Sequence, residues 1–229
     1  MGCMKSRRLI EGLHGIRPPP RLAMNTKLLL VDDHLSTLET LKCTLPLLLT
    51  CTIAGTARNA AEALDVIQRT APDVVWVDVG LPGLDGPGLL RVLRLRHIPA
   101  RSVLFTGTMD MAEIREALTA APACMVSKND DLACWQKALE AAVRGGTYYS
   151  PSIADAWKLA PDPGIASLSD AEHVVFNLMV KKLGEEHMAE MLGIATHTVR
   201  HHSAQMMAKL RAHTVEELRT IASRNGLLN

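Results

Sequence analysis

Val74-Val75-Trp76-Val77-Asp78-Val79-Gly80-Leu81-Pro82-Gly83-Leu84-Asp85-Gly86 decides how this chain folds. Four apolar residues run without interruption into Asp78, and Gly80, Pro82 and Gly83 stop the run at once. A short, continuous apolar run rich in Val reads as a strand buried on both faces, hence a central parallel strand. Asp78 therefore stands at the carboxyl end of a central strand beside a loop, the edge where open α/β sheets bind ligands. A carboxylate held there is a candidate nucleophile, metal ligand, or both.

Outward from that strand, apolar runs alternate with helically spaced segments. Leu28 to Val31 ends at Asp32-Asp33, and Leu35–Leu45 has helical spacing. Cys51–Thr56 is a short strand, and Asn59 caps a helix running to about Arg69. After the Asp78 strand, Asp85 caps a helix over Pro87–Arg96, Arg101–Thr106 is a strand, and Asp110 caps the next helix. Ala123–Ser127 is a strand ending at Lys128, and Asp131–Arg144 closes the series. The alternation predicts an α/β unit over 26–145, a five-stranded, doubly wound parallel sheet of flavodoxin-like order.

Gly145-Gly146 breaks the pattern, and residues 146–166, with Pro151, Pro161, Pro163 and Gly164, read as a linker that has room for a short helix around Ile153–Leu159. Residues 167–229 read as a small all-α unit. Its helices are expected at Ser169–Lys181, Glu185–Leu192, Thr196–Leu210 and Val215–Ser223. Ser169 with Glu172 forms a capping box, Gly193 ends the second helix and Thr196 caps the third. At the other end, residues 1–25 contain Pro18-Pro19-Pro20 and read as a disordered basic extension, with translation starting at Met24 as the favoured alternative.

Composition narrows the class. The chain has 229 residues, enough for two domains, and its aromatic content of 3% requires mainly aliphatic cores. Five cysteines without a CxxC pair argue against a disulfide framework and for a reducing cytoplasm. No apolar run approaches a membrane span, so no membrane partner is expected. The formal net charge of +1 implies no partner, but six Lys and Arg against one Glu lie within residues 1–27.

In flavodoxin-like order the first, third, fourth and fifth strands are neighbours, so Asp32, Asp33, Asp78, Thr106 and Lys128 converge at one edge. Three carboxylates that close repel one another unless a cation lies between them, and hard oxygen ligands suit Mg2+. With its charge screened, Asp78 can attack a phosphoryl group and form an acyl phosphate. Lys128 and the Thr106 hydroxyl would then neutralise charge on the phosphoryl oxygens. Each residue alone has a simpler reading: a turn, a β-former, a solvated lysine.

Through LLLVDDH, VVWVDVGLPGLDG, VLFTGT and MVSKND, residues 27–144 resemble the receiver domain of two-component response regulators. The resemblance implies that Asp78 is the phosphoacceptor of a sensor histidine kinase. It implies that Asp33, Asp78 and the Gly80 backbone carbonyl hold magnesium directly, with Asp32 acting through water, and that Thr106 and Lys128 sense and bind the phosphoryl group. Two positions depart from the family's pattern: Leu81 stands where Met is usual, and Met125 where an aromatic switch residue is common.

The helical end has Leu192-Gly193-Ile194 as a tight turn between two helices, followed by Val199, Met206 and Leu210 at core spacing with Arg200, His201 and Ala204 opposite. Helix, short turn and a helix with a polar outer face make a helix-turn-helix, with a helical dimerisation module as the plainer alternative. Through Leu168, Ser169, Glu172, Ala189, Leu192, Ile194, Thr198, Val199, His202, Lys209, Leu210 and the closing Arg224-Asn225-Gly226-Leu227 the unit resembles the LuxR-type helix-turn-helix of the NarL/FixJ class. That resemblance implies double-stranded DNA as partner and a homodimer on it, with Arg200 and His201 in the major groove and Thr196, Thr198 and Lys209 near phosphates. Glu185-Glu186 stands where the family usually has a phosphate-binding Lys, and from residue 167 on seven basic residues face seven acidic ones. Six of the nine His lie in this region, so DNA affinity is expected to rise as pH falls.

Three functions compete. The first is a phosphorylated, DNA-binding transcription regulator, not an enzyme. The second is an orphan regulator that acts without phosphorylation. The third is an aspartyl-phosphate phosphatase, disfavoured because Val79 and Gly80 supply no second acid after Asp78.

Overall fold

The computed structural model describes residues 26–157, 165 and 167–225; the expectations for residues 1–25, for 158–164 and 166 of the linker and for Gly226-Leu227 lie outside them. The first unit is a parallel sheet of β1 (Thr26–Val31), β2 (Cys51–Ala57), β3 (Val74–Asp78), β4 (Arg101–Thr106), β5 (Cys124–Ser127) and β6 (Tyr148–Tyr149) in the order β2-β1-β3-β4-β5-β6. Its helices are α1 (Leu35–Leu48), α2 (Ala60–Thr70), α3 (Gly86–Leu95), α4 (Met111–Thr119) and α5 (Leu132–Val143). All five residues of β3 are buried, as the uninterrupted apolar run requires. Alternation divides the core. Leu29, Val75, Val77, Leu104 and Met125 face α2, α3 and α4, while Leu28, Leu30, Trp76, Val103 and Phe105 face α1 and α5. On the second face Trp76, Phe105 and Trp135 meet edge to face, with ring centroids 4.9–6.4 Å apart.

The expected helix caps form at Asn59, Asp85 and Asp110, and Asp131, expected inside its helix, caps α5 as well, each side chain accepting from backbone N–H groups of the first turn. Two expectations change. The sheet has six strands rather than five, because after Gly145-Gly146 the chain returns to the edge of β5. Tyr148 pairs with Cys124 and Tyr149 with Met125, and the Ser150 N–H donates to the Met125 carbonyl at 3.1 Å. Part of the expected linker thus covers an edge that would otherwise present unpaired backbone groups, and α6 (Pro151–Trp157) follows against α4 and β5. Helix α1 runs through Pro46 to Leu48 instead of stopping at Leu45, since Leu45 and Leu48 are both buried against the sheet.

The helical unit comprises α7 (Asp170–Val180), α8 (Glu185–Leu192), α9 (Thr196–Leu210) and α10 (Val215–Arg224). The Ser169–Glu172 capping box is present in both directions. Gly193 ends α8 at φ +69°, a conformation that favours glycine. Thr196 does not cap α9. Ala195 occupies the cap position with no side-chain bond and Thr196 is the first helical residue, so the turn after Gly193 is one residue shorter than the capping rule suggests.

The two units touch along α3 and α7. Arg94 grips Asp170 with two hydrogen bonds of 2.9 and 2.7 Å. Arg96 donates from Nη2 to the Glu190 and Met191 carbonyls at 2.6 and 2.8 Å, satisfying the carboxyl end of α8. Lys181 reaches back to the Gly83 carbonyl at 2.8 Å.

Candidate functional site

Asp32 follows β1, Asp78 ends β3, Thr106 ends β4 and Lys128 follows β5, and β1-β3-β4-β5 are consecutive in the sheet. The predicted convergence is therefore produced by strand order. Lys128 Nζ lies 2.7 Å from Asp32 Oδ2 and 3.1 Å from Asp78 Oδ1, bridging two carboxylates contributed by different strands. Asp32 is fully buried, Asp78 6% exposed and Thr106 1% exposed, so the group is a lined recess. The Thr106 hydroxyl accepts from the Thr108 N–H at 3.1 Å, and the Lys128 N–H donates to the Thr106 carbonyl at 2.6 Å.

Electrostatics match the geometry. Burial pushes the Asp78 carboxyl above its ordinary value, Lys128 opposes that, and the charges of Asp32 and Asp33 add to it. Burial alone would lower Lys128, yet its hydrogen bond to Asp32 and the charge of Asp78 raise it. The ammonium therefore stays charged between the two acids.

Asp32, Asp33 and His34 offer ligand atoms within 4.8 Å of one another. Asp33 Oδ1 is buried without a hydrogen-bond partner, although His34 Nδ1 lies 2.7 Å away in poor alignment. An orphaned carboxylate oxygen beside two further acids fits a hard divalent cation. His34, which the acidic pattern did not single out, borders this group, and its position directly after Asp32-Asp33 was the available signal. The Gly80 backbone passes close to Asp78: a Cβ on Gly80 would lie 3.7 Å from Asp78 Oδ2. Gly86 is tighter still, because a Cβ there would fall 2.2 Å from the Asp78 carbonyl oxygen, so α3 starts pressed against the backbone of the recess.

On the helical unit, Val199 and Met206 are fully buried and Leu210 partly so, leaving Arg200, His201 and Ala204 exposed on the outer face of α9. Two of the expected phosphate or base contacts are engaged within the domain. Arg200 Nε is 2.7 Å from Glu185 Oε2, and Lys209 Nζ is 2.7 Å from Glu172 Oε2. Burial would raise Glu172, but Lys209 and the Ser169 N–H hold it below its usual value. Thr196 and Thr198 are half-buried at the amino end of α9.

An α/β unit with this acidic recess, joined to a helix-turn-helix, defines a receiver coupled to a DNA-binding output. The model of the response regulator receiver domain matches residues 28–142 and that of the luxR family of bacterial regulatory proteins matches residues 166–222, so the chain belongs to the receiver family and is a LuxR-type response regulator. Among relatives, the virulence-factor transcription regulator BvgA of Bordetella pertussis is 25% identical over 212 residues, covering 89% of this chain and all of BvgA. FixJ of Bradyrhizobium diazoefficiens is 28% identical over 171 residues, covering 75% of this chain and 82% of FixJ. Of the solved structures, a LuxR-family two-component response regulator from Aurantimonas sp. SI85-9A1 is 30% identical, covers 58% of this chain and 94% of its own, and superposes with a TM-score of 0.54. RcsB of Salmonella enterica serovar Typhimurium, solved on the rprA promoter, shares the fold at 20% identity over 87% of this chain and 99% of its own, with a TM-score of 0.58. These relatives are transcription regulators, not enzymes, which removes the phosphatase reading.

Proposed function

We propose that Asp78 accepts a phosphoryl group from a sensor histidine kinase, and that the phosphorylated chain binds double-stranded DNA as a homodimer. The observation that carries this reading is the Lys128 bridge between Asp32 and Asp78 in a recess at the carboxyl edge of the sheet. An Asp78 carboxylate oxygen forms the new P–O bond as the P–N bond to the kinase histidine breaks. Lys128 exchanges its contact with Asp78 for a phosphoryl oxygen, and the Thr106 hydroxyl supplies a second donor. Asp32, Asp33, Asp78 and the Gly80 carbonyl would hold Mg2+, which supplies charge neutralisation for phosphoryl transfer. Among the described residues no helix is long and apolar enough to cross a membrane, in keeping with a cytoplasmic protein.

On the output side, Arg200 and His201 would read the major groove and Thr196, Thr198 and Lys209 would contact phosphates, with two copies of α9 one helical turn of DNA apart, roughly 34 Å. Arg200 and Lys209 must first leave Glu185 and Glu172. A second reading, DNA binding without phosphorylation, draws on Met125: it is fully buried where an aromatic switch is common, and β6 covers its strand. Label uptake from a small phosphodonor with Mg2+, comparing the natural chain with Asp78→Asn, tests the phosphoacceptor. Uptake is expected only in the natural chain, and uptake by Asp78→Asn removes the assignment.

A further inference from the structure

Where α3 and α4 of the receiver meet α7 of the DNA-binding unit, three ionisable side chains are shut away from water. Arg91 is fully buried, the His173 side chain is 5% exposed and that of Glu116 is 13% exposed. Glu116 Oε1 lies 3.2 Å from Arg91 Nη2 and 3.5 Å from His173 Nδ1. His173 bonds the Ile165 carbonyl, while its Nδ1 is buried without a hydrogen-bond partner. The nitrogen bound to Ile165 is therefore Nε2, which must carry a proton to donate, and Nδ1 lies 3.5 Å from a carboxyl oxygen of the other domain. If Glu116 were ionised and His173 neutral, two acceptors would face each other in a buried space. If both were ionised, a second buried cation would stand beside Arg91.

We propose that the two domains dock with a neutral Glu116 carboxyl group facing the unprotonated Nδ1 of His173, with the proton returning to the histidine when the domains part. The surrounding charges favour this arrangement. Arg91 and Arg94 approach from α3, and Asp85 lies at the cap of that helix. Thr119 shares α4 with Glu116, Glu113 and Arg115. Asp170 and Glu172 lie in the first turn of α7, where Asp170 is taken by Arg94 and Glu172 by Lys209. Burial raises the Glu116 carboxyl from 4.5 to about 7, against Arg91, and burial lowers His173 from 6.5 to about 3 with help from Arg91.

On release both groups regain water and return towards their ordinary values. Glu116, raised when docked, favours docking at low pH, and that contribution is lost as pH rises from 4.5 to about 7. His173, lowered when docked, favours docking at high pH, and its contribution is lost as pH falls from 6.5 to about 3. Between roughly pH 4.5 and 6.5 each state binds one proton of the pair, so docking moves a proton across the interface without net uptake. The two opposed dependences nearly cancel, and the balance between docked and released chains is insulated from cytoplasmic pH.

Substitutions separate the two halves. In an Arg94→Ala background, which removes the grip on Asp170, small-angle scattering of the full chain at pH 5.5 and 7.5 reads the docked fraction. With both groups present, the docking constant is expected to change only about twofold between these values. Glu116→Gln keeps a neutral donor and leaves His173 alone to titrate, so docking weakens about tenfold at pH 5.5. His173→Asn keeps an acceptor near the position of Nδ1 and leaves Glu116 alone, so docking strengthens about twentyfold at pH 5.5. Profiles of the same sign, or three coincident profiles, overturn the proposal, and far-ultraviolet circular dichroism checks that each variant is folded. Independently, the 15N shift of His173 in the unsubstituted full chain at pH 6 must report an unprotonated Nδ1; a protonated Nδ1 also overturns it.

Discussion

Replacing Lys128 by Met keeps most of the apolar stem and removes the charge that bridges Asp32 and Asp78. Its ammonium lies 2.7 and 3.1 Å from the two carboxylates. At an effective dielectric of about 20, Coulomb's law gives roughly 5–6 kcal/mol of gross attraction for each contact. Much of that offsets the desolvation of the three groups, and removal of one partner from a buried pair typically costs about 3–5 kcal/mol. The Lys128 side chain is only 24% exposed and that of Asp32 fully buried, so the buried value applies rather than the surface one. In EDTA at neutral pH, Lys128→Met is expected to lower receiver stability by about 3–5 kcal/mol. The assay is urea unfolding followed by Trp76 and Trp135 fluorescence, since both rings sit in the receiver core. The deficit should shrink on acidification, because burial already raises Asp78 and the lysine that opposes the rise is gone, and a raised carboxyl contributes stability at low pH that is lost as pH rises. Mg2+ should recover at least half of the loss while helping the natural chain less, because there the lysine already supplies positive charge. A loss under about 1 kcal/mol in EDTA, or equal Mg2+ effects on both proteins, would refute the bridge as the cause.

Gly86→Ala places a Cβ where the Asp78 carbonyl oxygen stands, 2.2 Å away, and should cost at least about 1–3 kcal/mol in chemical denaturation. Ser169→Ala removes the side-chain half of the capping box and is expected to lower the stability of the helical unit by about 0.5–2 kcal/mol, read by far-ultraviolet circular dichroism in urea. Glu185→Gln frees Arg200 from an exposed ion pair worth about 0.2–1 kcal/mol, so DNA affinity should rise about 1.5- to 5-fold. Fluorescence anisotropy across a salt series should show its log–log slope steepen by about one phosphate contact.

Most of the receiver was readable because each of its signals is local. The β3 run, the aspartate and asparagine caps and the punctuating glycines act through neighbours a few residues away, and backbone sterics enforce them. Asp78 stood out because an apolar run ending in a carboxylate leaves it only one place, the strand end. The sixth strand was not readable: Tyr148-Tyr149 is too short for a period, and its partner is the edge of β5, more than twenty residues earlier. The same holds for Thr196, whose side chain looked like a cap until the backbone after Gly193 set the cap position at Ala195. His34 was legible only as the residue after two aspartates, and its nearness to Asp33 Oδ1 depends on the turn that follows β1.

By itself the amino-acid order determined two domains, a parallel α/β sheet with an acidic strand-end site, and a helix-turn-helix after it. These follow from periodicity and from the chemistry of residues at strand and helix ends, which hold whatever the rest of the chain does. Tertiary structure alone decided that Lys128 neutralises Asp32 and Asp78, that Glu185 and Glu172 occupy Arg200 and Lys209, and that Arg91, Glu116 and His173 are buried together between the domains. The reason is physical: the charge state and availability of an ionisable group depend on its distance to other charges and to water, and for partners up to 96 residues apart only the packed fold sets those distances.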